Sequence, residues 1–339
     1  MEWHLVTGEY PPDRGGVADY TSLLARALVE AGHEARVWCP GDAEGPVAEP
    51  GGVNVHRVAG RFGPAGLARL DRELDRFAGP RTILIQYVPH AYGWKAMNLP
   101  FARWPARRAR LGDDVRAMFH EVTFPWVARP LQLNFLAAVN RVMAALIIRA
   151  CTRAYVTIPD WERLLRRLGA VRVPIAWTPV PSSVPSEASP HAVERRRAEL
   201  IGDTTATRVV GHFGTYSGLI TRTLAPALRK LLDRRPDVRV LLLGRDGDRW
   251  RHELAEGRAD RLDRVVATGG LPAAEIPEYL RACDLLVQPY PDGVSSRRTS
   301  VMAALANGVP VVTTLGHLSE PIWEDGPVAT APAGDHGRL

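Results

Sequence analysis

"VVATGGLPAAEIPEYLRACDLLVQPYPDG" (Val265–Gly293), with "AALANGVPVVTT" (Ala303–Thr314) close behind it, decides the fold. A strand-like run ends at the Gly269–Gly270 turn. "AAEIPEYLRAC" then spaces its apolar residues as a helix does, "DLLVQPY" reads as a second strand, and Asp292-Gly293 marks a turn. A helix around Met302 and the strand "VPVVTT" complete the pattern. Strands that alternate with helices in this way build a parallel sheet covered by helices on both faces.

The rhythm extends in both directions. Upstream lie "TRVVGHFGTY", a helix through "LAPALRKLLDRRP", and "VRVLLLG". The front half has its own series: "EWHLVTG", a helix from Ala18 to Ala31, "EARVWCP", "VNVHRV", a helix from Leu67 to Phe77, "TILIQYV" and "VRAMFHE". Between the halves, "VRVPIAWTPVPSSVPSEASP" concentrates Pro and Ser and loses periodicity, which predicts a domain junction near Pro181. The expected domains are 1–180 and 181–339, two Rossmann-like α/β halves whose ligand loops follow the strands and face a cleft. The end, "PAGDHGRL", reads as loop, so no closing helix is expected there.

Bulk properties agree with two folded domains. A chain of 339 residues, 46% hydrophobic and 24% charged, exceeds one comfortable core. The charge of +6 comes from 43 basic against 37 acidic residues and suits an anionic partner without choosing one. No basic stripe interleaved with aromatics, finger spacing or helix-turn-helix pattern points to nucleic acid. Cys39, Cys151 and Cys283 are too few and too scattered for a disulfide framework or a zinc site. "MEWHLVTGEY" lacks the pattern of a secretion signal, and a cytoplasmic protein is expected. "LQLNFLAAVNRVMAALIIRACTR" has the length of a membrane span but carries Asn134, Asn140, Arg141 and Arg149, so a mostly buried helix is expected. "FARWPARRARLG", with Phe101 and Trp104 among arginines, is compatible with contact to an anionic membrane, with Pro105 interrupting its helix.

Several loops carry candidate chemistry. Gly15 and Gly16 precede the first long helix, where backbone N–H groups can meet an oxygen ligand or merely form a turn. His120 and Glu121 follow an apolar strand, placed to hydrogen-bond a sugar or poise a proton, or to be satisfied locally. Gly214, Thr215 and Tyr216 offer donors after the first strand of the second half, with Arg222 near the start of the next helix, as a phosphate seat or an ordinary turn. Gly293, Ser296, Arg297, Arg298 and Thr299 gather where a helix should begin, near Ser296. Two arginines at a positive helix end call for a negative partner, which a diphosphate would supply. Asp292 is placed to accept from sugar hydroxyls, or to form an Asp-Gly turn.

Taken in order, "TGEYPPDRGGVADYT", "MFHE", "GHFGTY", "VLLLG" and the two opening segments make the chain resemble the GT-B glycosyltransferases of the large retaining group often called family four. The resemblance implies a nucleotide-sugar donor held by the second domain, an acceptor held by the first, and retention at the anomeric carbon without a metal or other cofactor. On that basis His120 and Asp292 are the catalytic candidates, with His120 against the donor sugar. Tyr20, His90 and Glu121 fall on the acceptor side. The chain departs from the pattern as well. The two glutamates usual in that group would fall on Ser295 and Ala303, and of the usual Arg and Lys pair only Arg222 is present. Arg297 and Arg298 are expected to take over the diphosphate. A sugar-nucleotide epimerase and a non-catalytic scaffold that binds nucleotide or a partner remain as other readings.

Overall fold

Two sheets of parallel strands carry out the alternation read from the sequence. The computed structural model describes residues 1–13, 15–41, 46–49, 51–202, 205–335 and 339. The chain divides into two units, Met1–Pro179 and Val180–Leu339.

The first unit begins with β1 (Glu2–Thr7), α1 (Gly16–Glu30), β2 (Glu34–Pro40), β3 (Pro46–Ala48) and β4 (Asn54–Val58). It continues with α2 (Pro64–Leu74), β5 (Thr82–Tyr87), α3 (Leu99–Arg110) and β6 (Asp114–Phe119). It ends with α4 (Gln132–Ala150), β7 (Arg153–Val156), α5 (Pro159–Arg167) and β8 (Ile175–Trp177). The strand order is β3-β4-β2-β1-β5-β6-β7-β8, parallel throughout except where β3 meets β4. Central β5 is buried at every position, as a strand covered on both faces requires.

The second unit opens with α6 (Pro190–Ile201), β9 (Arg208–Phe213), α7 (Gly218–Arg234) and β10 (Val238–Leu243). Then come α8 (Gly247–Ala255), α9 (Ala259–Leu262), β11 (Val265–Gly269), α10 (Ile276–Ala282) and β12 (Leu285–Gln288). It closes with α11 (Thr299–Ala306), β13 (Val311–Leu315) and β14 (Ala329–Pro332). Its sheet runs β11-β10-β9-β12-β13-β14, all parallel. The order reverses beside β9, which puts the loops after β9 and β12 at the switch point where ligands of such sheets bind.

Four sequence expectations change. The stretch read as structureless junction contains β8, a short edge strand that periodicity over three residues cannot reveal. Pro105 does not interrupt α3, because Phe101, Ala102, Trp104 and Arg108 are all buried and packing holds the helix across it. The same burial removes Phe101 and Trp104 from any membrane surface: they are 0% and 4% exposed. Finally, α4 is not mostly buried. Met143, Ala144, Ile147 and Ile148 enter the core, while Leu133, Phe135 and Val142 face solvent.

Candidate functional site

Glycines line the C-terminal edge of the second sheet. Gly214 follows β9, Gly244 follows β10 and Gly269 ends β11. A Cβ on Gly244 would fall 2.3 Å from the Gly214 carbonyl oxygen, so the two loops approach this closely only because residue 244 carries no side chain. On the other side of β9, a Cβ on Gly293 would meet the Gly316 nitrogen at 2.3 Å, and Gly293 holds a φ of +91°. The edge therefore presents backbone, which lets a ligand approach closely.

Asp292 occupies the centre of the loop after β12. Its carboxylate accepts from an Arg297 Nη2 at 2.8 Å and from Arg298 Nη2 through its other oxygen. Arg298 also lies over the Tyr290 ring, 4.5 Å from its centroid, and Tyr290 shares a 2.7 Å hydrogen bond with Ser300. Burial, together with the adjacent Arg297 charge, lowers the Arg298 guanidinium from its usual value. The helix starts at Thr299 with Arg298 as its N-cap, three residues later than expected, because Val294 to Ser296 are drawn into the core. The negative partner that the two arginines require is thus supplied by the chain. One carboxylate serves two guanidinium groups.

Two expectations about neighbouring hydroxyls also change. Ser296 is 3% exposed, and its N–H and hydroxyl both donate to the Glu320 carboxylate, which further accepts from Trp323 Nε1 at 2.7 Å. Its hydroxyl is engaged rather than offered to a phosphate. Tyr216 turns inward, stacked on Trp250 and donating to the His212 carbonyl at 3.3 Å, with burial raising its phenol well above the ordinary value. Thr215 and Arg222 are exposed, Arg222 at the fifth position of α7. Glu320 was missed by the sequence reading, since one acid in "GHLSEPIW" carries no signal of burial. His212 was missed too. Its Nδ1 donates to the Val287 carbonyl at 2.8 Å, leaving a buried Nε2 without a partner. A Cβ on Gly214 would lie 3.8 Å from that Nε2 and 4.0 Å from Ser300 Oγ, so the β9 loop and the start of α11 adjoin.

In the first unit, the reason for Gly15 is Glu9. A Cβ on Gly15 would fall 2.2 Å from a Glu9 oxygen, and the same carboxylate accepts from the Ala18 N–H at 3.2 Å. Glu9 therefore caps the start of α1, and Gly16 remains open, with no heavy atom near its own Cβ position. Tyr20 meets His120 edge-on, ring centroids 4.8 Å apart. His120 Nε2 donates to Gln86 Oε1 at 2.8 Å, and desolvation lowers its pKa to about 3. The ring is neutral at physiological pH, so it can orient a ligand but does not carry a proton for exchange there. Glu121 is half-buried and His90 exposed, with neither brought against His120's ring by any contact described.

Ser295 and Ala303, where glutamates were looked for, are both 0% exposed, and Ala303 packs in an apolar cluster with Val301 and Val311. A carboxylate there would be stripped of water. Among the described residues, no group of three or more His, Cys, Asp or Glu is placed to hold a metal ion.

Comparison with known proteins defines the class. Residues 208–337 match the glycosyl transferases group 1 family, and residues 15–181 match the glycosyl transferase 4-like domain. Sucrose-phosphate synthase from Thermosynechococcus elongatus superimposes with a TM-score of 0.71 at 16% identity, covering 100% of this chain and 88% of that one. Anabaena HepE, solved with UDP and glucose, gives 0.69 at 19% identity, covering 100% and 88%. The E. coli trehalose-6-phosphate protein bound to UDP-2-fluoro glucose gives 0.65 at 12%, covering 100% and 89%. No curated protein matches the sequence. These structures share the GT-B fold with the chain, which belongs to the group 1 glycosyl transferases.

Proposed function

We propose that the protein moves a sugar, a hexose by the likeness, from a nucleoside-diphosphate sugar to a hydroxyl acceptor with retention at the anomeric carbon. The acceptor class is a glycan, a lipid-linked sugar or a small molecule. The observation that carries the reading is the Asp292–Arg297–Arg298 cluster at the glycine-lined edge of the second sheet. Cleaving the bond from the anomeric carbon to the diphosphate builds negative charge on the leaving phosphate. The Arg297 and Arg298 guanidinium groups stabilise it there, without a resident metal or cofactor. The leaving phosphate takes the acceptor's proton, which fits a neutral His120. UDP in HepE and the UDP-sugar in the trehalose-6-phosphate protein support a nucleotide-sugar donor.

In this reading, residues 1–180 serve the acceptor and 181–339 the donor. Gly214, Thr215, Gly293, Thr299, Arg297, Arg298 and Arg222 form the donor side. Gly15 and Gly16 of the first unit are assigned to the donor, and Tyr20, His90 and Glu121 to the acceptor. His120 and Asp292 are its catalytic pair, His120 as a hydrogen-bonding ring and Asp292 through the arginines it positions. The setting is the bacterial cytoplasm. The test is a thermal-shift panel of UDP-, GDP- and ADP-sugars, followed by nucleotide release with and without candidate acceptors. Stabilisation by one nucleotide sugar and acceptor-dependent release are expected, and no stabilisation by any of them would defeat the reading.

A second reading has its own support. With Ser295 and Ala303 buried and Asp292 held by two arginines, the chain lacks a free carboxylate in this loop, as a scaffold that binds nucleotide without turnover would. Binding with no release across acceptors would select it.

A further inference from the structure

The least explained surface of the molecule is the outer face of α4 with the loop before it. Leu131 is 71% exposed, Phe135 67%, Trp126 57% and Val142 51%. Leu131, Phe135 and Val142 fall on one stripe of the helix by their spacing of four and seven residues. A group of large apolar side chains this exposed marks an interaction surface.

The stripe is held in shape rather than left loose. Asn134 clamps the Val127 backbone in both directions, accepting from its N–H at 2.9 Å and donating to its carbonyl at 2.8 Å. Arg141 donates to the Phe124 carbonyl at 3.2 Å and stacks on Trp126, 4.2 Å from the ring centroid. Trp126 is thereby fixed beside the helix. In sequence, the run from Val122 to Pro159 holds no acidic residue, and its charged side chains are Arg129, Arg141, Arg149 and Arg153. The helix also reaches a mean hydropathy of 1.5 with only 33% of that window buried. Its inner residues Met143, Ala144, Ile147 and Ile148 belong to the core, so it lies along the surface and does not cross a bilayer on its own.

We propose that this face docks the protein on an anionic lipid bilayer, with Trp126, Leu131, Phe135 and Val142 entering the headgroup boundary and the arginines meeting lipid phosphates. An apolar stripe, a tryptophan and basic residues without acids are what interfacial binding needs. A protein partner would equally cover the apolar side chains, but a run that carries arginines and no acid beside them suits anionic lipid. The proposal rests on no step of sugar transfer.

The test is co-sedimentation of the full chain with phosphatidylcholine vesicles with and without phosphatidylglycerol. Wild-type protein is expected to partition at least about tenfold more strongly onto the anionic vesicles, and Leu131→Ser with Phe135→Ser to weaken that by about tenfold or more. Arg129→Glu should weaken only the phosphatidylglycerol arm. The serine variant should keep the wild-type melting temperature and nucleotide-sugar shift, which separates a failure here from a failure of the transferase reading. Absence of vesicle binding, or binding unchanged in the serine variant, overturns the proposal. So does a wild-type dimer that the serine variant converts to monomer without any vesicle binding, which would make the face a contact between copies.

Discussion

Two arginine–aspartate clusters, one in each unit, look alike in composition and differ in burial. In the first unit, Arg108 is 0% exposed and donates to Asp113 at 2.7 Å, Asp71 at 3.1 Å and Asp75 at 3.0 Å. Arg81 reaches Asp113 at 2.8 Å and Arg107 pairs with Asp71 at 2.9 Å, so Arg81, Arg107 and Arg108 face Asp71, Asp75 and Asp113 one for one. In the second unit, Arg297 and Arg298 both pair with Asp292, and all three side chains keep some exposure. A cluster whose centre is sunk out of reach of solvent cannot meet a ligand there and ties α2, α3 and the start of β6 together. A partly exposed pair of guanidinium groups at the edge of a sheet can still meet an anion. The number of arginines says nothing about function until their burial is known.

The largest expected effect breaks the buried cluster. Arg108→Leu leaves Asp71 and Asp113 buried without their main partner, a loss of about 3–5 kcal/mol. The melting temperature of the first unit should fall by roughly 10 °C, read by hydrogen exchange resolved along the chain. Little change would mean that Arg81 and Arg107 alone satisfy those carboxylates.

Next comes acid. Burial lowers His4 to about 4 and His120 to about 3 in the first unit, and His212 to about 4 in the second. His56, stacked on Trp38, is lowered to about 4 as well. Each of these folded values lies below the unfolded one near 6.5, so between pH 6.5 and 4 the unfolded chain binds protons that the folded chain refuses. Stability is complete above that window and falls as pH drops through it, by about 1.4 kcal/mol per histidine for each pH unit. At pH 5 this costs about 2 kcal/mol for each of the deeply buried rings, His4, His120 and His212. The first unit should therefore open at higher pH than the second, and limited proteolysis across a pH series would show cleavage beginning within residues 1–179.

Smaller effects sharpen the second cluster. Asp292→Asn removes the counter-charge that both arginines share, and inorganic pyrophosphate should bind several-fold more tightly, by the charge-assisted hydrogen bonds set free. Arg298→Ala removes the guanidinium stacked on Tyr290, and nucleotide-sugar affinity should drop by about tenfold or more with melting temperature nearly constant. If both variants bind like wild type in calorimetry, the two guanidinium groups have no ligand and the contrast between the clusters is structural only.

The contrast also shows what a sequence makes legible. Strand and helix order was readable because apolar periods of 2 and 3.6 persist over six or more residues, as in β5 and α7. Short β3 and β8 were not, since three residues establish no period. At the site, the crowding of Arg297 and Arg298 was visible, and the demand for a negative partner followed from it. That Asp292 meets this demand was not visible, because a turn of five residues can point a carboxylate inward or outward. Burial misled in both directions. Phe101 and Trp104 among arginines looked exposed, yet Asp71 takes the Trp104 N–H at 2.8 Å and the Arg108 charge, which sinks that face into the core. Apolar α4 looked buried, yet only one of its faces finds a neighbour.

The smallest expected effect decides where the donor's charge is held. Arg222 is an exposed residue, at the fifth position of α7, on the side where group 1 relatives were expected to place their cations. An exposed side chain contributes little to a contact it must be ordered to make, so Arg222→Ala should weaken nucleotide-sugar binding by no more than about threefold. Arg298 stacks on Tyr290 and is fixed by Asp292, so its ordering cost is already met before a ligand arrives. The ratio of the two effects, measured under one salt concentration, separates the alternatives. A larger loss from Arg222 would move the anion seat to the loop after β9 and leave the Asp292 cluster as a fastening of the loop after β12. A larger loss from Arg298 would show that a pre-ordered cation outweighs an exposed one closer to the expected place.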